Sequence, residues 1–84
     1  MPEVEIGKVV DFFAKPVVAG VQLSGTLKKG DMVHIEGHTT DLELAVQSMQ
    51  IDRVDVSDAK PGDVIGIKVP ARVRPGDTVY KVTE

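Results

Sequence analysis

The chain has 84 residues, with 10 Lys or Arg against 13 Asp or Glu for a net charge of −3, and no cysteine. That length admits one small domain, taken as residues 1–84. The absence of cysteine excludes a disulfide-stapled mini-protein and a thiolate metal site, and the charge lacks the basic excess that marks most nucleic-acid binders. Fifteen Val and five Ile against four Leu, with 8 Gly and 5 Pro, favour strands and turns over helices, because χ1-stiff side chains suit a pleated surface.

A first strand is predicted over residues 3–13, where Val4 and Ile6 alternate with Glu3 and Glu5. Gly7 breaks that alternation and Val9 follows on the other parity, which predicts a β-bulge. Residues 17–23 form a second strand, interrupted by Gly20, and residues 32–36 a third. Leu42, Leu44 and Val46 alternate in a fourth, and Met49 and Ile51 resume on the opposite parity, which places a second bulge near Ser48. A helix over residues 41–52, capped by Thr39 or Thr40, is the weaker alternative, because strict alternation beats the 3.6 period there. Ile65, Ile67 and Val69 mark another strand, and residues 78–82 the last. This rhythm is that of a small sandwich or barrel. No apolar run reaches the roughly 18 residues of a membrane span, and the acidic start of the chain lacks the features of a signal peptide. Both point to a cytoplasmic location and to no membrane partner.

One short grammar occurs three times. Lys28-Lys29-Gly30-Asp31, Lys60-Pro61-Gly62-Asp63 and Arg74-Pro75-Gly76-Asp77 each give a basic residue, Lys or Pro, then Gly-Asp and the start of a strand. This is the chemistry of a type II turn: Pro presets φ near −65° at the second position and Gly accepts positive φ at the third. The Asp that follows is placed to accept backbone N–H bonds. Gly30, Asp31, Pro61, Gly62, Asp63, Pro75, Gly76 and Asp77 are therefore read as structural. Their spacing is too uneven for a solenoid.

The residues that could carry chemistry are few. His34, Glu36 and His38 fall on one strand face if the strand continues regularly, with Asp41 nearby, and would then suit a divalent metal. Gly37 argues against this, because a turn beginning there swings His38 off the face, so no metal is assigned. Ser24, Ser48 and Ser57 have no nucleophile context, and Asp52, Asp55 and Asp58 read as solvated surface. The expectation is a chain with no enzymatic activity and no cofactor.

Gly25-Thr26-Leu27-Lys28-Lys29-Gly30-Asp31-Met32-Val33 resembles the core signature of domain II of the translation GTPases, elongation factor Tu among them. Ser48 to Ile51, Ala59 to Ile67 and Val73 to Val79 resemble the rest of that domain in order, so that the likeness runs from about Ile6 to Val82. Gly37-His38-Thr39-Thr40-Asp41, followed by Ser48 to Ile51, is similar to short free-standing elongation-factor-like proteins. The resemblance implies a small closed antiparallel β-barrel of about six strands. Two departures qualify it. The phosphate-binding Lys and Ser/Thr are absent: Gly20 and Gly25 have the P-loop spacing, but Thr26 and Leu27 follow, which excludes nucleotide binding. Lys15-Pro16 stands where the family usually has glycines.

Cations gather in two acid-free stretches, Lys15, Lys28 and Lys29 in one and Lys68, Arg72 and Arg74 in the other. If the barrel brings them together, they form a surface for an RNA backbone. The function expected from sequence is therefore a non-catalytic, translation-factor-like binding module that contacts ribosomal RNA, tRNA or a protein of the translation apparatus. The alternatives are a protein-interaction adaptor outside translation, whose strand edges pair with a partner, and a metal-binding protein.

Overall fold

The computed structural model describes residues 3–14 and 17–82. The β-branched side chains fall into ten strands: β1 (Glu3–Phe13), β2 (Val18–Leu23), β3 (Leu27–Lys28), β4 (Met32–Glu36), β5 (Asp41–Ala45), β6 (Met49–Ile51), β7 (Val54–Val56), β8 (Asp58–Ala59), β9 (Val64–Lys68) and β10 (Thr78–Val82). Every ladder between them is antiparallel. Residues 41–52, the candidate helix, hold two strands and the link between them.

Eight strands form one sheet in the order β5-β4-β10-β1-β2-β9-β6-β7, and β3 pairs with β8 apart from it. The expected closed barrel of about six strands is thus corrected to an open eight-stranded sheet with a two-stranded companion. Its end strands, β5 and β7, share no ladder among the described residues. The reason lies at residues 46–48, where a bulge was expected. The chain instead leaves the sheet: β5 stays on β4, and Met49 restarts beside Ile67 of β9. Elsewhere the bulge expected at Gly7 is present, and a second, unexpected one follows it. The β1 register slips between Glu5 and Gly7 against β10, and again between Val9 and Asp11 where Gly20 faces it on β2. The sheet curls around one core that includes Ile6, Val21, Leu27, Ile35, Ile67 and Val79.

The three Gly-Asp turns are built alike. Gly30, Gly62 and Gly76 have φ of +94°, +94° and +98°. The N–H of Asp31, Asp63 and Asp77 donates to the carbonyl of Lys28, Lys60 and Arg74, each at 3.1 Å. The Asp Oδ2 accepts from the N–H of that same first residue, at 3.0, 3.1 and 2.9 Å. Each turn then clips onto one buried residue by two backbone bonds, with the Gly N–H donating to its carbonyl and the Asp carbonyl accepting from its N–H. The clipped residues are Val46 (2.8 and 2.9 Å), Leu23 (2.9 and 2.9 Å) and Val9 (2.7 and 2.8 Å). The repeated sequence grammar is a repeated fastening of turn to core.

Candidate functional site

The outer face of β1, β10, β4 and β5 collects acid. Register places Glu5, Tyr80, His34 and Glu43 in one cross-strand row, and Thr78, Glu36 and Asp41 in the next. Glu3 lies at the start of β1, opposite Val82. Five carboxylates thus share the face with one imidazole, while the alternate residues Val33, Ile35 and Val79 point into the core.

His34 is held from both sides. Its Nδ1 lies 2.9 Å from Glu3 Oε2 and its Nε2 2.5 Å from Asp41 Oδ1. The hydrogen bond to Asp41, then that to Glu3, raises the imidazole pKa to about 9. At neutral pH the ring is an imidazolium that donates from both nitrogens. The Tyr80 ring stands beside it, 6.2 Å between centroids. The triad ties β1, β4 and β5 together across β10. An open depression of about 510 Å³ adjoins it, lined by residues that include Glu36, His38, Thr39, Thr40 and Asp41.

This corrects the ligand set read from sequence. His34 and Glu36 do share a face, but the strand ends at Glu36 and His38 sits in the turn that follows. Asp41 returns opposite Glu36 and takes the third place, with one ligand atom from each of His34, Glu36 and Asp41 within 4.8 Å of one another. Both ring nitrogens already face carboxylates, so the arrangement as it stands holds a proton. The fold-back of Asp41 was readable from the Gly37–Thr40 turn; the approach of Glu3, 31 residues away, had no local signal.

A second concavity, about 740 Å³, is lined in part by Val10, Phe13, Val18, Val64 and Arg53. Val10, Phe13 and Val64 are all exposed. Beside them the β6–β7 hairpin turns on Asp52 (φ 51°) and Arg53 (φ 66°), the two positive φ values of a type I′ turn without its usual glycine. Sequence reasoning missed this turn, because no Asn-Gly or Asp-Gly pair announces it.

The described cations among those chosen as a contact surface fall on separate elements. Lys15 lies outside the described residues. Lys68 pairs with Val18 at the start of β2, and the Arg72 guanidinium lies 5.9 Å from the centre of the Phe12 ring. Lys28 instead pairs with Asp58, just before the turn that clips Leu23 at the far end of β2. Lys29 bonds Ser57 through its N–H, and Arg74 opens the third Gly-Asp turn. Lys68 and Lys28 thus lie on different sheets.

Comparison with known proteins adds four findings. The family model described as elongation factor Tu domain 2 matches residues 16–80. An uncharacterized protease of Methanocaldococcus jannaschii is 46% identical over 83 residues, 98% of this chain and 20% of that protein. A collagenase of Porphyromonas gingivalis is 32% identical over 81 residues, 94% of this chain and again 20% of the relative. The chain thus spans about a fifth of the curated relatives it matches. Among solved structures, the C-terminal domain of a Geobacillus thermoleovorans protein classed with the U32 peptidases superposes with a TM-score of 0.89. That match is at 19% identity and covers 95% of this chain and 93% of that one. These findings correct the function read from sequence. The domain II likeness holds, but the relatives carry protease and collagenase names and are far longer than free-standing translation-factor-like proteins. The translation role and the RNA contact are set aside accordingly.

Proposed function

From the premise that this chain belongs to the elongation factor Tu domain 2 family, we propose that it is the accessory β-domain of a U32-type peptidase. The observation that carries this reading is the 46% identity that runs through 98% of the chain and falls on one fifth of a protease. The fold likeness to a peptidase C-terminal domain is consistent with it. In this reading the domain carries no catalytic group of its own. Glu3 and Asp41 hold His34 between strands, Asp31, Asp63 and Asp77 close turns, and among the described residues no carboxylate or histidine is paired with a nucleophile in the manner of a hydrolytic site. The domain contributes surface and the peptidase core contributes chemistry.

The test uses the Porphyromonas gingivalis collagenase. Deleting the fifth of that protein that matches this chain is expected to abolish or strongly reduce its hydrolysis of gelatin. Putting residues 1–84 of this chain in its place is expected to restore a measurable part of that activity, while the isolated chain hydrolyses none. A deletion that leaves gelatin cleavage intact, or cleavage by the isolated chain, would overturn the assignment.

A further inference from the structure

β5 stands at one end of the sheet, and among the described residues one of its long edges is bare. The Gly37 N–H donates to the Thr40 carbonyl at one end of the β4–β5 hairpin, and the Val46 N–H donates to the Asp31 carbonyl at the other. Hydrogen-bonded pairs alternate along an antiparallel ladder. Between those two fixed points, Leu42 and Leu44 therefore direct their N–H and C=O groups to Ile35 and Val33 of β4. The backbone groups of Asp41, Glu43 and Ala45 point the other way, where no further strand lies among the described residues. An unpaired row of this kind is a template for another strand.

The side chains say what kind of strand. On the inner side of β5, Leu42 and Leu44 are only partly buried and pack against the edge of the core. On the outer side Asp41 and Glu43 are exposed, with Glu36 beside them on β4. His34 neutralises part of Asp41; Glu43 and Glu36 make no ion pair among the described residues. A second copy of β5 would bring Asp41 and Glu43 against the same carboxylates, and like charges directly opposite are destabilising. The charge that protects this edge from its own kind selects a partner of the opposite sign.

We propose that the free edge of β5 docks an extended polypeptide segment in which basic residues alternate with apolar ones. Its backbone pairs with Asp41, Glu43 and Ala45, its Lys or Arg side chains face Glu43 and Glu36, and its apolar side chains cover Leu42 and Leu44. This is strand addition with side-chain selection on alternate positions. It goes beyond the peptidase reading and does not depend on it, because it rests on the free edge of β5 and the charges of Glu43 and Glu36 beside it.

The test is fluorescence polarisation of the full chain with two labelled peptides, Lys-Val-Lys-Val-Lys and Glu-Val-Glu-Val-Glu, at low salt. The basic peptide is expected to bind at least about tenfold more tightly than the acidic one, a difference that shrinks as salt is raised. Glu43→Pro removes an outward N–H while sparing the bonds to β4, since proline is tolerated where an edge N–H faces solvent. It should cost about tenfold or more in binding at an unchanged thermal midpoint. Glu43→Lys should shift preference toward the acidic peptide, and it decides the matter should the proline variant fail to fold. Equal binding of the two peptides, no saturable binding, or a folded Glu43→Pro protein that binds as well as the parent would overturn the proposal.

Discussion

Among the described residues, His34 is the one side chain whose charge the fold sets against its own tendency. An unperturbed imidazole titrates near 6.5, whereas His34 between Asp41 and Glu3 is raised to about 9. A group whose folded pKa lies above its unfolded one contributes stability that is fully present below the unfolded value and is lost as pH rises through the folded value. The His34→Gln variant should therefore melt below the parent protein at pH 6, and the gap should narrow between about pH 7 and pH 9.5. In proton NMR the His34 ring should titrate near 9, and near its ordinary value once Asp41→Asn and Glu3→Gln are combined. A midpoint near 6.5 in the parent protein would show that the triad is not formed. At this scale the sequence was half legible. The period of two put His34 and Glu36 on one face, but it carried no information about Glu3, which reaches the ring only because β10 sits between β1 and β4.

At the scale of elements, the Gly-Asp turns were the most legible feature, because everything that makes them lies within four residues: a preset φ, a permitted positive φ and a carboxylate at fixed reach. Gly62 isolates the backbone part of that physics. A Cβ built there meets nothing within 4 Å, so Gly62→Val carries only the strain of a β-branched residue at φ +94°. About 1–2 kcal/mol is expected, read as a lower urea midpoint at an unchanged m-value. A loss well below that would mean the turn relaxes to another type. By contrast β3, β7 and β8 are two or three residues long, too short for alternation to register. Only their partners, Ala59 for Leu27 or Met49 for Val56, give them away.

For the molecule as a whole, the all-β class and the places of the longer strands could be read from sequence, but neither strand count nor closure could. Whether a curled sheet joins its ends depends on pairings between distant segments, and here it was decided by residues 46–48, whose Val-Gln-Ser looks like a bulge and acts as an exit. The three clips supply part of what edge pairing would have given, since they hang the turns on Val9, Leu23 and Val46 along the chain. Turns are where proteases usually enter a β-protein, through local opening, and all three turns here carry lysine or arginine. Yet Lys60-Pro61 and Arg74-Pro75 are bonds to proline, and Lys29-Gly30 leads straight into a clip. Limited trypsin digestion followed by mass spectrometry should accordingly cut first after Arg53, at the hairpin tip, and leave Lys29-Gly30 intact until the whole fold opens. Early cleavage at Lys29 would mean that the clip to Val46 opens on its own. The fastening that organises the core thus also stiffens an exposed peptide bond that a peptidase would otherwise take, a useful property in a domain whose relatives include a protease and a collagenase.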